Sequence, residues 1–126
     1  MDLTFHWTIA TASGQVVYNK TFSADASLPN LDQDVPVGSN FEVLIAIDVS
    51  QVKAIQIACT GDVTLKTNSS SSPSNTLQLV ANVPYEYHQN SYNTFKLTQD
   101  VSKLYVTNNG SSTVRLTVRG LYDPTL

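Results

Sequence analysis

The sequence is short of cysteine, of charge and of long apolar runs. It has 126 residues and one cysteine, so no disulfide can form within the chain. Asp, Glu, Lys and Arg together make up 13% of the residues, which is about half of their usual share. No apolar run approaches the roughly 20 residues that a membrane-spanning helix needs. These scarcities predict a protein without a membrane partner that is made in a reducing cytoplasm and folds around one apolar core.

Patterns that carry known catalytic or metal chemistry are also missing. His6 and His88 lie far apart in the sequence, and no pair of side chains has the spacing of metal ligands. Asp32 and Asp34 are a weak calcium cue without the remaining acidic ligands, and we interpret them as solvated carboxylates of a turn. No Gly-x-Ser-x-Gly motif and no paired glutamates occur. The sequence therefore predicts no catalytic residue, no metal, no cofactor and no enzyme activity.

The charge that is present argues against binding to nucleic acid. The net charge is −3, and the only close basic pair is Arg115 and Arg119. A surface that binds nucleic acid needs clustered Lys and Arg to neutralise phosphates. No nucleic-acid partner is predicted.

Apolar residues recur at every second position in most segments, which is the period of a β-strand. The segments LTFHWTIAT and QVVYNKTF predict a hairpin, and Cys59 alternates in phase with Ile55 and Ile57, which predicts a buried thiol. With turn residues at intervals of about 8–12 residues, the pattern predicts an all-β fold. We expect residues 1–126 to form one antiparallel β-sandwich domain, jelly-roll-like, with about eight or nine short strands. The predicted core consists of Phe5, Trp7, Ile45, Ile47, Ile55, Ile57, Leu65, Leu79, Val106, Leu116 and Val118.

Three segments carry more specific predictions. The stretch SADASLPNLDQDVPVGSN, with Pro29 and Pro36, is predicted to be an irregular connection. The segment TFKLT, residues 94–98, is predicted to be a strand. Leu44 and Ala46 add apolar residues on the second face of the strand FEVLIAIDV, so this strand is expected to be covered on both sides.

The tripeptide Asp-Val-Ser occurs twice, at residues 48–50 and 100–102. Asp and Ser side chains accept hydrogen bonds from backbone N–H groups two or three positions further on. We interpret the two tripeptides as similar corners, each of which closes a tight turn before an apolar strand. A chance repeat is the alternative interpretation.

Aromatic side chains are concentrated in VPYEYHQNSYNTF. Tyrosine offers a large contact area at low entropic cost, so this segment is a candidate contact surface. Two alternatives are the packing of Tyr85 and Tyr87 on one face of an edge strand, and the binding of a sugar or another small ligand. The predicted partner-contact residues are Tyr85, Tyr87, His88, Tyr92 and Phe95.

Residues 41–124 resemble minor capsid or decoration (cement) proteins of tailed bacteriophages. The resemblance is carried by the strand that runs into the first Asp-Val-Ser corner, by GDVTLKTN, and by LYVTN and VRLTV ahead of a final Asp-Pro. It implies a non-enzymatic β-sandwich on the outer surface of the virion capsid, often a homotrimer, whose partner is the major capsid protein. The first 40 residues carry no such mark.

A carbohydrate-binding or adhesin-like module, which would use residues 85–95, is the alternative function from another class. A small enzyme ranks last, because the sequence supplies no residues for it.

Overall fold

The described part of the chain is all-β, as the sequence predicts. The computed structural model describes residues 3–10, 16–24, 26–27, 31–92 and 94–122, and the first three of these ranges by their backbone alone. Within these ranges there is no α-helix, and the one helical turn is a 3₁₀ turn, Val49–Gln51. The strands are β1 (Leu3–Ala10), β2 (Val16–Ala24), β3 (Ala26–Ser27), β4 (Leu31–Val35), β5 (Gly38–Ile47), β6 (Val52–Cys59), β7 (Val63–Thr67), β8 (Thr76–Leu79), β9 (Tyr85–His88), β10 (Val101–Asn108) and β11 (Val114–Tyr122).

Strands β4 to β11 form two antiparallel sheets in jelly-roll order. The first sheet has the order β4–β11–β6–β9, and β3 pairs with the end of β11 on the same side as β4. The second sheet has the order β5–β10–β7–β8. The connections β4–β5, β6–β7, β8–β9 and β10–β11 each cross from one sheet to the other. This is the double Greek-key arrangement of a jelly roll, so the predicted sandwich is confirmed.

These four connections lie at one end of the sandwich, which we call the loop end, and the crossing connections β5–β6 and β9–β10 lie at the other end. The loop end comprises residues 36–37, 60–62, 80–84 and 109–113. The strand registers place them together, because Gly38 pairs with Asn108 and Val35 pairs with Val114. Short connections of this kind keep consecutive strands in facing sheets and bring four loops to one surface.

The core lies between the two sheets. Every predicted core residue whose side chain is described is buried: Ile45, Ile47, Ile55, Ile57, Leu65, Leu79, Val106, Leu116 and Val118. The side chains of Phe5 and Trp7 lie outside the described residues. Cys59 is buried in the same cluster, as predicted.

The predicted hairpin of β1 and β2 is present and forms a two-stranded sheet of its own. Both strands lie close to β11, and β2 also lies close to β6. Ala54 and Leu121, which pair with each other on the outer face of the first sheet, are buried there. The hairpin therefore lies over this part of the outer face.

The stretch predicted to be an irregular connection contains strands, so that prediction was wrong. β4 pairs with β11 along its whole length, from Leu31 opposite Val118 to Val35 opposite Val114. Val35 is completely buried, and ladder hydrogen bonds plus this burial outweigh the local turn preferences of the sequence. Pro36 follows directly after β4, whereas Pro29 lies outside the described residues.

The segment TFKLT forms no strand, contrary to the prediction. The Lys96 N–H donates to the Tyr85 hydroxyl oxygen at 3.0 Å, and the Thr98 N–H donates to Asn75 Oδ1 at 3.0 Å. Side chains thus occupy backbone donors that a strand would offer to its neighbour. Leu97, which lies between these two residues, is buried. The apolar residue of the segment thus packs in the core although the backbone is irregular.

The expected cover on both faces of β5 is also absent. Val43, Ile45 and Ile47 face the core, but Leu44 is 70% exposed and Ala46 is exposed on the opposite face. In the parts of the chain that are described, β5 is buried on one side only.

The two Asp-Val-Ser tripeptides do not form similar corners. The first caps the 3₁₀ turn, because Asp48 accepts the Ser50 N–H at 3.1 Å. The second forms no turn, since β10 begins directly at Val101. The repeat therefore reflects no structural symmetry.

In the described ranges no helix has the length and apolar character needed to span a bilayer.

Candidate functional site

Three of the five predicted contact residues pack against the core. Tyr85 and Tyr87 lie on β9, the edge strand that pairs with β6, and both are half-buried. The Tyr87 ring stacks on Phe95 with centroids 4.2 Å apart and planes at 3°. Lys96 Nζ lies 5.9 Å from the centroid of the Tyr85 ring. These rings therefore stabilise the closure of the sandwich edge and offer only part of their surface to a partner.

The environment of Tyr85 favours its neutral form. Burial raises the pKa of the phenol above its usual value, and the hydrogen bond from the Lys96 N–H offsets part of this rise. The phenol thus stays protonated at neutral pH and serves as a hydrogen-bond acceptor that fixes the chain after β9.

The remaining two predicted contact residues are set apart from this cluster. His88 Nδ1 lies 2.8 Å from the Gln89 carbonyl oxygen, at the end of β9 away from the loop end. Tyr92 lies beyond the following turn and is fully exposed. Of the predicted residues, Tyr92 is the one that presents its whole ring to solvent.

Exposed apolar side chains that the sequence analysis missed lie at the loop end. Val37 is 52% exposed, Val80 is 57% exposed and Val83 is 56% exposed, and all three lie on connections that cross between the sheets. Val80 and Val83 form an isolated β-bridge, in which the Val83 N–H donates to the Val80 carbonyl at 3.0 Å. Their exposure could not be inferred from the sequence, because a short apolar segment has the same pattern as a buried strand.

A cleft lined largely by polar residues lies beside Ala81, the neighbour of Val80 in the chain. It has a volume of about 580 Å³ and is lined by residues 60–62, Ala81 and residues 108–114. The Ala81 N–H donates to Asp62 Oδ1 at 2.7 Å, which ties the β8–β9 connection to the β6–β7 turn. The loops of this end are therefore joined by side-chain hydrogen bonds.

Asn108 organises the loop end from inside. Its side chain is buried and donates from Nδ2 to the Val35 carbonyl at 3.2 Å and to the Ser112 carbonyl at 2.9 Å. Its Oδ1 accepts the Gly110 N–H at 3.0 Å. One feature of the sequence indicates this burial. Asn108 continues the alternation of Leu104 and Val106, which places its side chain on the core side of β10.

Asp32 and Asp34 lie on a strand and not in a turn, which corrects their interpretation. Arg115 on the neighbouring strand β11 donates to Asp32 Oδ1 at 2.6 Å and to Asp34 Oδ1 at 2.9 Å. This hydrogen bond with Arg115 holds the pKa of Asp32 below its usual value, and the charge of Arg119 adds to the effect. A guanidinium group therefore occupies the position that a calcium ion would need. In the described part of the chain, no group of three or more His, Cys, Asp or Glu side chains is placed to hold a metal ion.

No family model and no curated protein sequence matches the chain. A solved structure from Bacillus endospore appendages, described as a novel family of disulfide-linked pili, is similar with a TM-score of 0.38 and 12% sequence identity. The match covers 78% of this chain and 88% of the other. At this level of similarity it carries no argument about the function of this protein.

Proposed function

We propose that the protein is a non-enzymatic structural protein that binds the outer surface of a bacteriophage capsid and stabilises the head. The resemblance of residues 41–124 to decoration proteins suggests this function. The exposure of Val37, Val80 and Val83 at the loop end is the structural observation that supports it. Jelly rolls occur in viral capsid and lectin domains, so the fold is compatible with the proposal but does not select it. The exposed valines are the more specific support.

The loop end suits a protein partner because its exposed apolar side chains rest on connections that are tied together. Burial of apolar surface contributes about 25 cal/mol per Å² removed from water, and fixed loops lose little entropy on binding. A protein that binds the assembled capsid lattice and not the free subunits shifts the assembly equilibrium towards the particle by mass action. Because Asp62 is the only charged residue in the four connections of the loop end, the affinity should depend weakly on salt.

The experiment measures rebinding of the purified protein to particles that lack it. We expect saturable co-sedimentation with the particles, and release of the genome at a higher temperature once the protein is bound. Val80→Asp and Val83→Asp place a charge in the apolar contact and should weaken binding at least tenfold. Thr76→Asp, an exposed strand position on β8, is the matched control and should bind like the wild-type protein.

Two outcomes would contradict this proposal. One is the absence of binding together with particles that are equally heat-stable with and without the protein. The other is equal binding by the Val80 and Val83 variants and the control, which would remove the loop end from the contact. In that case Tyr92→Ala tests whether the predicted segment of residues 85–95 makes the contact instead.

The exposed ring of Tyr92 supports carbohydrate binding as a second candidate function. Aromatic rings next to amides can stack on a sugar face, and Asn90 and Ser91 precede Tyr92 in the same connection. Saturable binding on a glycan array that is lost in Tyr92→Ala, together with no binding to particles, would favour this alternative.

A further inference from the structure

Strand β5 forms an edge of the second sheet and pairs, among the described strands, with β10 alone. It has ten residues and is the longest strand described. A long edge strand offers a row of backbone N–H and C=O groups to another chain unless charges or covering segments protect it. The edge at β4 carries Asp32 and Asp34, and residues 94–96 run beside β9, so β5 is the least protected of these edges.

The backbone phase of β5 shows which groups point outwards. The Lys103 carbonyl accepts the Asn68 N–H, so the backbone groups of Lys103 are directed towards β7. Successive residues of a strand direct these groups to opposite sides, and Leu104 therefore directs its groups to Val43 on β5. By the same alternation, Glu42 and Leu44 direct theirs away from β10, towards the free edge.

The side chains along this edge carry little that opposes pairing. Glu42 is the only charged residue between residues 41 and 47, and Lys103 of the same chain lies 3.6 Å from its carboxylate. Leu44 is 70% exposed on the outer face, with Ala46 next to it on the same side. Leu44 therefore combines an exposed apolar side chain with backbone N–H and C=O groups that point to the free edge of the sheet.

We propose that β5 pairs antiparallel with β5 of a second copy of this chain, around a two-fold axis that lies midway between the two Leu44 residues. In this register Leu44 lies opposite Leu44 of the second copy and the two residues exchange both backbone hydrogen bonds. Glu42 lies opposite Ala46, so no like charges face each other across the pair. The sequence of the edge is self-complementary in this register, which is the reason to choose a second copy as the partner.

The resulting assembly has a sheet that continues from one copy into the other and closes at two copies. It therefore differs from the trimer that the resemblance to decoration proteins implies. The contact uses the outer face and edge of β5, whereas the proposed capsid contact uses the loop end, so the two proposals can fail separately.

The first test is the mass of the purified full chain in solution, measured by light scattering across a range of concentrations. We expect a mass of two chains that falls to one chain on dilution. Leu44→Asp places two carboxylates opposite each other and should leave a folded monomer, because the side chain is exposed and contributes little to the core. The control Thr76→Asp, at the other edge of the same sheet, should keep the wild-type mass. A wild-type monomer or trimer, or a dimer that Leu44→Asp leaves intact, would overturn the proposal.

The second test fixes the register by crosslinking. Leu44→Cys should form a disulfide between two copies on mild oxidation, because paired residues of adjacent strands lie within disulfide reach. The native Cys59 is buried and should not compete. Ala46→Cys alone should crosslink poorly, since four residues, or about 13 Å, separate the two copies of position 46 in this register. A mixture of Ala46→Cys with Glu42→Cys should link the two variants to each other. Equal self-crosslinking of the Leu44 and Ala46 variants would contradict the register.

Discussion

The Asp100 carboxylate accepts a hydrogen bond from the Val49 N–H at 3.0 Å and thereby joins two segments that are 51 residues apart in the chain. Asp48 serves the same 3₁₀ turn from within, since its Oδ1 accepts both the N–H and the hydroxyl of Ser50, at 3.1 and 2.7 Å. The turn between β5 and β6 is thus held by one local and one distant carboxylate. Burial and these two carboxylates raise the pKa of the Tyr122 phenol, as expected where two negative charges lie close together.

The first prediction concerns this pair of carboxylates. Asp48→Ala and Asp100→Ala should each lower the free energy of unfolding by about 1 kcal/mol, because each removes an acceptor from a backbone N–H of the turn. Asp100→Asn keeps an acceptor oxygen and lessens the repulsion between the two carboxylates, so it should stay closer to the wild-type protein than Asp100→Ala. Urea denaturation measures all three variants. Equal losses in Asp100→Asn and Asp100→Ala would show that the hydrogen bond to Val49 is not what stabilises the turn.

The two Asp-Val-Ser tripeptides show which hydrogen bonds can be predicted from the local sequence and which cannot. The local preference of Asp to accept hydrogen bonds from nearby N–H groups correctly predicts the role of Asp48. The same reasoning fails for Asp100, because its partner Val49 lies in the distant 3₁₀ turn and their approach depends on the register of β5 and β10. A tripeptide does not contain that information.

The second prediction concerns the buried amide at the loop end. Asn108→Ala should lower the free energy of unfolding by about 2–4 kcal/mol, because it removes three hydrogen bonds and leaves polar groups without partners in a buried site. Asn109→Ala, at the exposed neighbouring position, is the matched control and should change stability by less than about 0.5 kcal/mol. Both are measured by urea denaturation. Similar small effects in the two variants would contradict the structural role of Asn108.

The third prediction concerns the close approach of the β6–β7 connection to the first residue of β11. A Cβ atom at Gly61 would overlap the side chain of Val114 at Cγ1. Gly61→Ala should therefore cost about 1–3 kcal/mol, as is typical when a packed site is overfilled. The double variant Gly61→Ala with Val114→Ala should recover part of this loss, so its cost should be less than the sum of the two single substitutions. Additive costs in this thermodynamic cycle would mean that the two residues do not press against each other.

The core and the hairpin were predictable because their signal is periodic. Alternation places Ile55, Ile57 and Cys59 on one face of β6 whatever the strand pairs with. The strand β4 was not predictable in this way, because its three central residues are polar and its pairing with β11 joins residues from 79 (Val35 with Val114) to 87 (Leu31 with Val118) positions apart. The aromatic segment was predicted in composition but not in exposure, since the stacking of Tyr87 on Phe95 depends on a tertiary contact.

The last prediction concerns the pH dependence of the Asp32–Arg115 pair. Arg115 lowers the pKa of Asp32 in the folded protein below its ordinary value of 3.8, so folding favours the charged carboxylate. The stabilisation is therefore fully present above the ordinary pKa and is lost as the pH falls through the lower pKa of the folded state. Asp32→Asn should be less stable than the wild-type protein at neutral pH, and this difference should shrink below about pH 4. Urea midpoints across this range measure the difference, with the same comparison repeated in an Arg115→Met background as the control. In that background the difference should no longer change with pH in this way, and an unchanged pH dependence would rule out Arg115 as its cause.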